Sequence, residues 1–309
     1  MTNPKVAIVT TTFYGNNPEG ILRKRLATDF LTGAVEKGYE VFLVDGGTDN
    51  GAFLASMNTM GVHCYGETQH GLSGSRREAL GHSQEYADRY GIDYIIWTEP
   101  EKVDMIRHIP RLVEGIEANH AHIAVPFRKN MRQYPGAQRN SEQFGNQRHT
   151  DLGYMDMRGK PIDTFAGPKL WVRGVTPFFF VFGDDKISRA FGEMRLQEKQ
   201  AKLKHQVEGD TRQFIYDEAA ADFKRWDHMI QMPVCLINLM GGRIISVPID
   251  YNHPIEQAEI EQANQAVWNP KRMGQLSALD EQFHFVKWAY EKGVFREGDI
   301  GKSLAGLLD

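Results

Sequence analysis

The sequence predicts an α/β fold with a mostly parallel, doubly wound sheet, and three observations support this prediction. Short apolar runs rich in β-branched residues alternate with helical patterns over residues 4–127. The runs stop at glycine, proline or carboxylate residues, which mark turns. The intervening segments have the length of crossover helices, so successive strands are expected to run parallel. These features together indicate an α/β sheet covered on both faces.

The elements of this first part follow in a regular order. Strands are expected at 6–12, 40–45, 62–65, 94–97 and 122–126, and helices at 21–37, 52–60, 71–90 and 103–119. Gly38 follows the first helix, in the position where a glycine commonly ends one.

The alternation stops after residue 127. Residues 128–162 hold seven basic residues among Asn, Gln and Gly, which predicts a long loop that is either functional or a solvated surface. A strand at 170–173 and an apolar core run at 178–182 come next. The remaining predicted elements are helices at 184–206 and 212–232 (the second ending at Pro233), a strand at 243–249, and tail helices near 255–267 and 277–292.

Composition excludes several classes of protein. The 309 residues are 41% hydrophobic and 25% charged, as in ordinary soluble globular proteins. The formal net charge of -4 gives no general attraction to nucleic acid or anionic membrane. Two cysteines predict no disulfide framework and suit a reducing cytosol. No apolar run approaches the length of a membrane span, so we expect a cytoplasmic protein.

The strongest chemical signal is Glu99-Pro100-Glu101-Lys102, directly after the apolar run 94–97. Ligands of open α/β sheets bind beyond the carboxyl ends of the strands. In an extended segment, Glu99 and Glu101 point to the same side. The ligand best suited to such a pair of carboxylates is a divalent cation that is bound to a diphosphate.

Two further features fit the same ligand. Asp45 ends the second strand, where a carboxylate can accept hydrogen bonds from a base or ribose. Gly71 opens the segment 71–77 at a helix start, which offers backbone N–H groups to phosphate, and Arg76 and Arg77 add positive charge. Each feature also has a plain structural explanation: Asp45 as a turn former, Arg76 as an exposed helix residue. Their order along successive strand ends favours a nucleotide-diphosphate pocket.

With these motifs the sequence resembles the GT-A glycosyltransferases, in particular family 2-like enzymes that use nucleotide-diphosphate sugars, with some likeness to mannosylglycerate synthase-type enzymes. The matching segments are 7–12, 44–49, 71–77 and Glu99-Pro100-Glu101, within about the first 130 residues. By this resemblance, the donor nucleotide would contact Thr11, Thr12, Asp45, Gly71, Arg76, Arg77 and Glu99. The metal, Mn²⁺ or Mg²⁺, would be held by Glu99, Glu101 and His253.

The sequence departs from the family at its Asp-x-Asp motif. Glutamate replaces aspartate twice, and Lys102 follows directly. Glutamate remains a competent oxygen ligand for these cations. Lys102 is an alternative: it could neutralise the diphosphate itself, or pair with Glu101, in a metal-free site. His253 also fits an ordinary surface turn.

The resemblance also implies a catalytic and acceptor side. Asp227 would serve as general base in an inverting enzyme or position the acceptor in a retaining one, although it also suits a helix N-cap. Glu101 and Lys102 would complete the catalytic group. Asp163 and Gly167 would lie near the donor sugar, on an acceptor-side loop.

The predicted organisation is a nucleotide-sugar-binding half at 1–127, an acceptor-binding half of the same domain at 128–254 and a helical tail at 255–309. The predicted function is transfer of a hexosyl group from a UDP- or GDP-sugar to the hydroxyl of a small-molecule, glycan or polyanionic acceptor, the last including nucleic acid. An inactive nucleotide-sugar-binding protein and a sugar-nucleotide nucleotidyltransferase are the alternatives. The loop 13–19 lacks the Arg and Lys expected of the latter.

Overall fold

Seven strands form one sheet in the computed structural model, which describes residues 4–69, 71–203, 209–226, 228–295 and 306–308. The strands are β1 (Val6–Thr12), β2 (Glu40–Asp45), β3 (His63–Gly66), β4 (Tyr94–Trp97), β5 (Ile123–Arg128), β6 (Lys169–Val172) and β7 (Ile244–Ile249). The helices are α1 (Pro18–Glu36), α2 (Ala52–Thr59), α3 (Leu72–Tyr90), α4 (Ile109–Asn119), α5 (Gly136–Asp151), α6 (Phe178–Val181), α7 (Asp185–Leu203), α8 (Gly209–Trp226), α9 (Gln231–Leu239), α10 (Ile255–Ala263) and α11 (Gln265–Glu291).

The sheet is mostly parallel and is buried on both faces. Its order is β3-β2-β1-β4-β6-β5-β7, and β6 alone runs antiparallel to its neighbours among the described strands. Ala7 and Val9 of β1 belong to one hydrophobic cluster, while Val6 and Ile8 belong to another on the opposite face. Helices therefore cover both sides, and the predicted α/β doubly wound fold class is confirmed.

The register of the central strands determines where the site lies. Thr12 at the end of β1 is paired with Asp45 at the end of β2. Trp97, the last residue of β4, is paired with Val9 of β1. The segment that follows β4 therefore leaves the sheet at the same carboxyl edge, as the motif order predicted.

Two predictions about the second part of the chain are wrong. The expected long loop at 128–162 contains α5, and Arg128 is buried at the end of β5 instead of solvated. The helix expected at 212–232 is two helices, α8 and α9. Pro233 lies in the first turn of α9, where its missing N–H has no helical partner to lose.

The tail helices join the main body. α11 packs against α5 and α9, and α10 contacts α1. The sheet itself continues past residue 127, because β6 pairs with β4 and β7 pairs with β5. None of the helices in the described part of the chain is both long enough and apolar enough to cross a membrane.

Candidate functional site

A cavity of about 530 Å³ opens beyond the carboxyl ends of β1 and β4. Among the residues predicted for the site, those that line it are Thr11, Thr12, Arg76, Glu99, Glu101, Lys102, Gly167 and His253. The predicted residues in the described part of the chain that do not line it are Asp45, Gly71, Arg77 and Asp163. Asp227 lies outside the described residues.

Asp45 is buried at the ends of β1 and β2, where its carboxylate accepts hydrogen bonds from both segments. Its Oδ1 accepts hydrogen bonds from the hydroxyls of Thr12 and Thr48, both at 2.6 Å. Its Oδ2 accepts from the backbone N–H groups of Thr48 at 2.7 Å and Gly47 at 2.9 Å. Asp45 thus meets the cavity through Thr12, whose position it determines, and its carboxylate is already fully hydrogen bonded.

An exposed aromatic ring stands at this end of the cavity. Phe13 is 72% exposed, although it lies between the buried residues Thr12 and Tyr14. A methyl group added at Gly46 would come within 3.1 Å of the Phe13 ring, so glycine at 46 allows the close packing of the turn against it. An exposed ring at a cavity edge is suited to stacking on a planar ligand.

The two arginines at the start of α3 separate. Arg76 lines the cavity, and its guanidinium lies 5.0 Å from the centre of the Trp97 ring. Arg77 extends the other way, against Gly183, where an added methyl would lie 2.9 Å from its Nε. Gly71 has φ of 95° and precedes the helix, so glycine suits the turn that leads the chain into α3. The structure therefore favours Arg76 over Arg77 as a ligand contact.

Glu101 is buried in a cluster with α1. Three contacts meet at its Oε1: Nε of Arg23 at 2.7 Å, Nη2 of Arg23 at 2.6 Å and the hydroxyl of Tyr14 at 3.0 Å. Burial and then the charge of Glu101 raise the pKa of Tyr14 well above its usual value, so that ring stays a neutral donor. The Glu101 charge is therefore already paired before any ligand arrives.

Glu99 forms an ion pair with Lys102 within the same short segment. The Lys102 Nζ lies 3.1 Å from Glu99 Oε2, and the Glu99 side chain remains 36% accessible from the cavity. Burial opposes the charge on Glu99, but Lys102 and, more weakly, Arg76 outweigh it and lower the pKa of the carboxyl to about 2. Burial likewise opposes the charge on Lys102, yet Glu99 raises its pKa. Both members of the pair are charged.

The expectation that Glu99 and Glu101 point to the same side of an extended segment is wrong. Pro100 and Glu101 lie in a turn, and the Lys102 N–H donates to the Glu99 carbonyl at 3.1 Å. As a result, the two carboxylates contact different walls of one cavity: Glu99 meets Lys102, and Glu101 meets Arg23.

Gly167 is needed for the position of Glu99. Any methyl group at residue 167 would overlap the Glu99 carboxylate. Asp163 supports this loop from behind, because it accepts two hydrogen bonds from the Arg128 guanidinium, at 2.7 Å and 2.8 Å, and one from the N–H of Ala166. The predicted acceptor-side loop therefore reaches the cavity through Gly167.

Arg128 joins α5 to the loop before β6. Besides Asp163, it pairs with Glu142 of α5 at 2.8 Å and lies 5.1 Å from the centre of the Tyr134 ring. Burial opposes the charges of Arg128 and Asp163, but their pairing lowers the pKa of the Asp163 carboxyl. This buried network makes α5 and the loop before β6 one wall of the cavity.

His253 enters the cavity from the segment after β7. Its ring stacks on Tyr134 at 4.4 Å, and neither ring nitrogen has a hydrogen-bond partner among the described residues. Burial, followed by the charges of Lys102, Arg272 and Arg128, lowers the pKa of His253 to about 3. The imidazole is thus neutral and can exchange hydrogen bonds with a ligand.

The side chains at hand do not fit a divalent cation. Mg²⁺ and Mn²⁺ prefer several carboxylate or other oxygen ligands. Within the described residues, no three His, Cys, Asp or Glu side chains are grouped so that they could hold a metal. Glu99 and Glu101 are each paired with a basic group, and His253 is bordered by cations.

Helix α11, in the C-terminal tail, forms another wall of the cavity. Trp268, Arg272, Gln275 and Leu279 of α11 line the cavity, and the Lys271 ammonium lies 4.4 Å from the centre of the Trp268 ring. His228, the neighbour of Asp227, also lines the cavity.

Sequence reasoning missed several contributors, among them Phe13, Arg23 and Arg128. Arg23 looks like an exposed position on α1, since its partner Glu101 is 78 residues away. Arg128 begins a basic segment that resembles solvated surface. Only the position of Phe13, directly after β1, was a usable signal, because ligands meet the chain at strand ends.

Among known proteins, this chain has similar solved structures but no matching sequence family. No protein-family model matches the chain, and no curated protein matches it. It is similar to glucosyl-3-phosphoglycerate synthase from M. tuberculosis, with 10% identity, TM-score 0.40, and coverage of 87% of this chain and 81% of that one. That synthase has been solved with Mn²⁺, uridine diphosphate and phosphoglyceric acid. The chain is also similar to S. aureus TarS, with 12% identity, TM-score 0.34, and coverage of 94% and 92%.

Proposed function

We propose that this chain is a glycosyltransferase that moves a hexosyl group from a UDP- or GDP-sugar to an acceptor hydroxyl. One observation carries the proposal. An exposed aromatic ring, the cations Arg76 and Lys102, and the carboxylates Glu99 and Glu101 meet in one cavity at the carboxyl edge of a parallel sheet. A nucleotide-diphosphate sugar needs such groups: an aromatic ring for the base, cations for the diphosphate and polar side chains for the sugar.

The donor would lie along the cavity from β1 to the loop before β6. The base stacks on Phe13 and meets Thr11 and Thr12, with Asp45 holding Thr12 in place. The diphosphate lies by Arg76 and Lys102, where charge-assisted hydrogen bonds are strongest. The sugar then reaches the region of Glu99 and Gly167.

The reaction breaks the bond between the sugar C1 and the diphosphate oxygen and forms a bond from C1 to the acceptor oxygen. The diphosphate leaves with the electron pair, so Arg76 and Lys102 stabilise the charge that develops on it. The acceptor hydroxyl gives up its proton to a base. Asp227 is the predicted base if the reaction inverts the anomeric centre and the predicted acceptor-positioning residue if it retains it, and its neighbour His228 lines the cavity.

The acceptor would bind against α11. Trp268 and Leu279 give this wall apolar surface, while Gln275 and Arg272 supply hydrogen-bond donors. A mixture of an aromatic ring and amide or guanidinium groups suits a polyhydroxylated molecule, whose C–H faces stack and whose hydroxyls need partners.

A donor-turnover assay tests the proposal. Purified protein is incubated with UDP- and GDP-sugars, with and without an acceptor panel, and released UDP or GDP is measured. We expect release from one donor that falls at least tenfold in Glu101→Ala and is unchanged in the exposed control Glu114→Ala. Tight nucleotide binding without turnover would instead indicate a binding protein. Conversion of a sugar phosphate and a nucleoside triphosphate would indicate a nucleotidyltransferase.

A further inference from the structure

We propose that the Lys102 ammonium, held by Glu99, takes the place of a divalent cation in this site, so that the donor diphosphate binds and leaves without a metal. The inference rests on the proposed function and deepens it. It assigns Glu99 to positioning Lys102, and it assigns Lys102 to the phosphate oxygens.

The Lys102 ammonium lies beyond the end of β4, where the predicted metal ion would bind. Lys102 follows the two carboxylates directly, and the turn ties it to Glu99 twice, through its backbone N–H at 3.1 Å and its Nζ at 3.1 Å. Its side chain lines the cavity and is 21% accessible. An ammonium has three hydrogens, and Glu99 is its one carboxylate partner within 4 Å among the described residues. Hydrogens therefore remain for phosphate oxygens.

The second carboxylate of the motif, Glu101, is already paired with protein side chains. Glu101 Oε1 takes both Arg23 contacts and the Tyr14 hydroxyl. A metal ligated by Glu101 would lie beside the Arg23 guanidinium, and like charges at such distances repel strongly in a partly buried site. Glu101 is better explained as the residue that fixes Arg23 and Tyr14 at the cavity wall.

The third predicted ligand lies among positive charges. His253 lines the cavity together with Lys102, Arg128 and Arg272, and its ring stacks on Tyr134 at 4.4 Å. A dication bound to this ring would add to the positive charge of these side chains.

The charges of the motif region favour a diphosphate without further help. Lys102 and Arg76 both act on Glu99, so two positive charges lie near one carboxylate at the end of β4. Positive charge at this point attracts an anionic ligand directly.

Gly167 supports the positioning role of Glu99. The glycine lets the carboxylate lie against the loop backbone, which leaves Glu99 little freedom to move toward another ligand. A carboxylate fixed in this way orients the long, flexible lysine side chain.

Calorimetric titration of UDP and GDP, in EDTA and then in Mn²⁺, tests the inference. For the nucleotide that binds, we expect dissociation constants within about threefold of each other in the two conditions. Lys102→Met should weaken binding roughly tenfold or more in both, because it removes a charge-assisted contact but keeps the apolar stem. The exposed Lys129→Met is the matched control and should bind as the wild type does.

A double-mutant cycle distinguishes positioning from metal ligation. If Glu99 acts through Lys102, Glu99→Gln weakens nucleotide binding equally in EDTA and Mn²⁺, and adding it to Lys102→Met has little further effect. The double variant also removes both charges of the pair, so it avoids leaving one buried and unpaired. Melting temperatures confirm that each variant is folded.

Two results would contradict these expectations, and they bear on different proposals. Affinity that rises tenfold or more with Mn²⁺, with the gain lost in Glu99→Gln, overturns the metal-free site but leaves the glycosyltransferase proposal intact. Absence of nucleotide binding in both conditions contradicts the proposed function itself.

Discussion

The Lys102 ammonium lies 3.1 Å from the Glu99 carboxylate, and the Lys102 backbone N–H donates to the Glu99 carbonyl at the same distance. The side-chain pair and the turn therefore depend on one another. This contact explains how an altered motif with two glutamates and a lysine can form a definite site. It also makes the surroundings of Glu99 sensitive to small changes.

Gly167→Ala tests that sensitivity. The added methyl overlaps the Glu99 carboxylate, so we expect the carboxylate and Lys102 to shift and donor turnover to fall roughly tenfold or more. Overpacking of this kind costs about 1–3 kcal/mol of stability. Turnover and the free energy of unfolding by urea are the two measurements.

Gly81→Ala is the control for this substitution. Gly81 lies within α3 with open space around it, and alanine there should stabilise the helix by about 0.5–1 kcal/mol without changing turnover. Full activity in Gly167→Ala would show that the Glu99 position is unimportant.

Arg23→Met should reduce both stability and turnover. It leaves the Glu101 carboxylate, which is 5% exposed, without its charged partner. Breaking a fully buried pair costs 3–5 kcal/mol, and since 37% of the Arg23 side chain is accessible, we expect about 1–3 kcal/mol. Arg23→Met with Glu101→Gln should recover part of the loss of stability. An additive double variant would mean that the two residues do not interact.

Phe13→Ala should weaken nucleotide binding and leave stability nearly unchanged, because the ring is 72% exposed. Stacking of a base on an aromatic ring contributes about 1–3 kcal/mol, which corresponds to a roughly 5- to 150-fold change in the dissociation constant. Phe144→Ala, at a 57% exposed ring outside the cavity, is the control. Equal affinity in the Phe13 and Phe144 variants would place the base elsewhere.

Two buried histidines predict acid destabilisation. Burial lowers the pKa of His149 and of His253 from 6.5 to about 3. Between these values the unfolded chain binds more protons than the folded chain, so the free energy of unfolding falls as pH falls from 6.5 toward 3, by roughly 1 kcal/mol per pH unit for each group.

Urea unfolding at pH 7, 6 and 5 measures this slope. His253→Gln should make the slope shallower, whatever its effect on stability at pH 7, because it removes one of the two groups. A slope that stays the same in His253→Gln would contradict the assignment of a neutral, buried imidazole.

The alternation of β1 to β5 with helices could be predicted from sequence because each strand is a short apolar run that ends at a turn residue. The direction of β6 could not be predicted, because local pattern does not specify strand direction and the pairing with β4 and β5 is long-range. Pro233 misled the prediction because proline both ends helices and suits their first turn.

The site shows the same division. Thr12 ends β1, and Glu99 and Lys102 follow β4, so their presence at the cavity could be predicted. The choice of Arg76 over Arg77 depends on the rotation of α3, and the pairing of Glu101 with Arg23 joins residues far apart in the chain. Sequence order contains neither piece of information.

The most direct test of the central claim compares Arg76→Ala with Arg77→Ala in calorimetric titrations of UDP and GDP. We predict that one nucleotide binds wild-type protein at a single site, that Arg76→Ala weakens this binding roughly tenfold or more, and that Arg77→Ala leaves it nearly unchanged in protein shown to be folded. Binding of neither nucleotide, or equal affinity in wild type and Arg76→Ala, would contradict the claim that this cavity holds a nucleotide-diphosphate sugar.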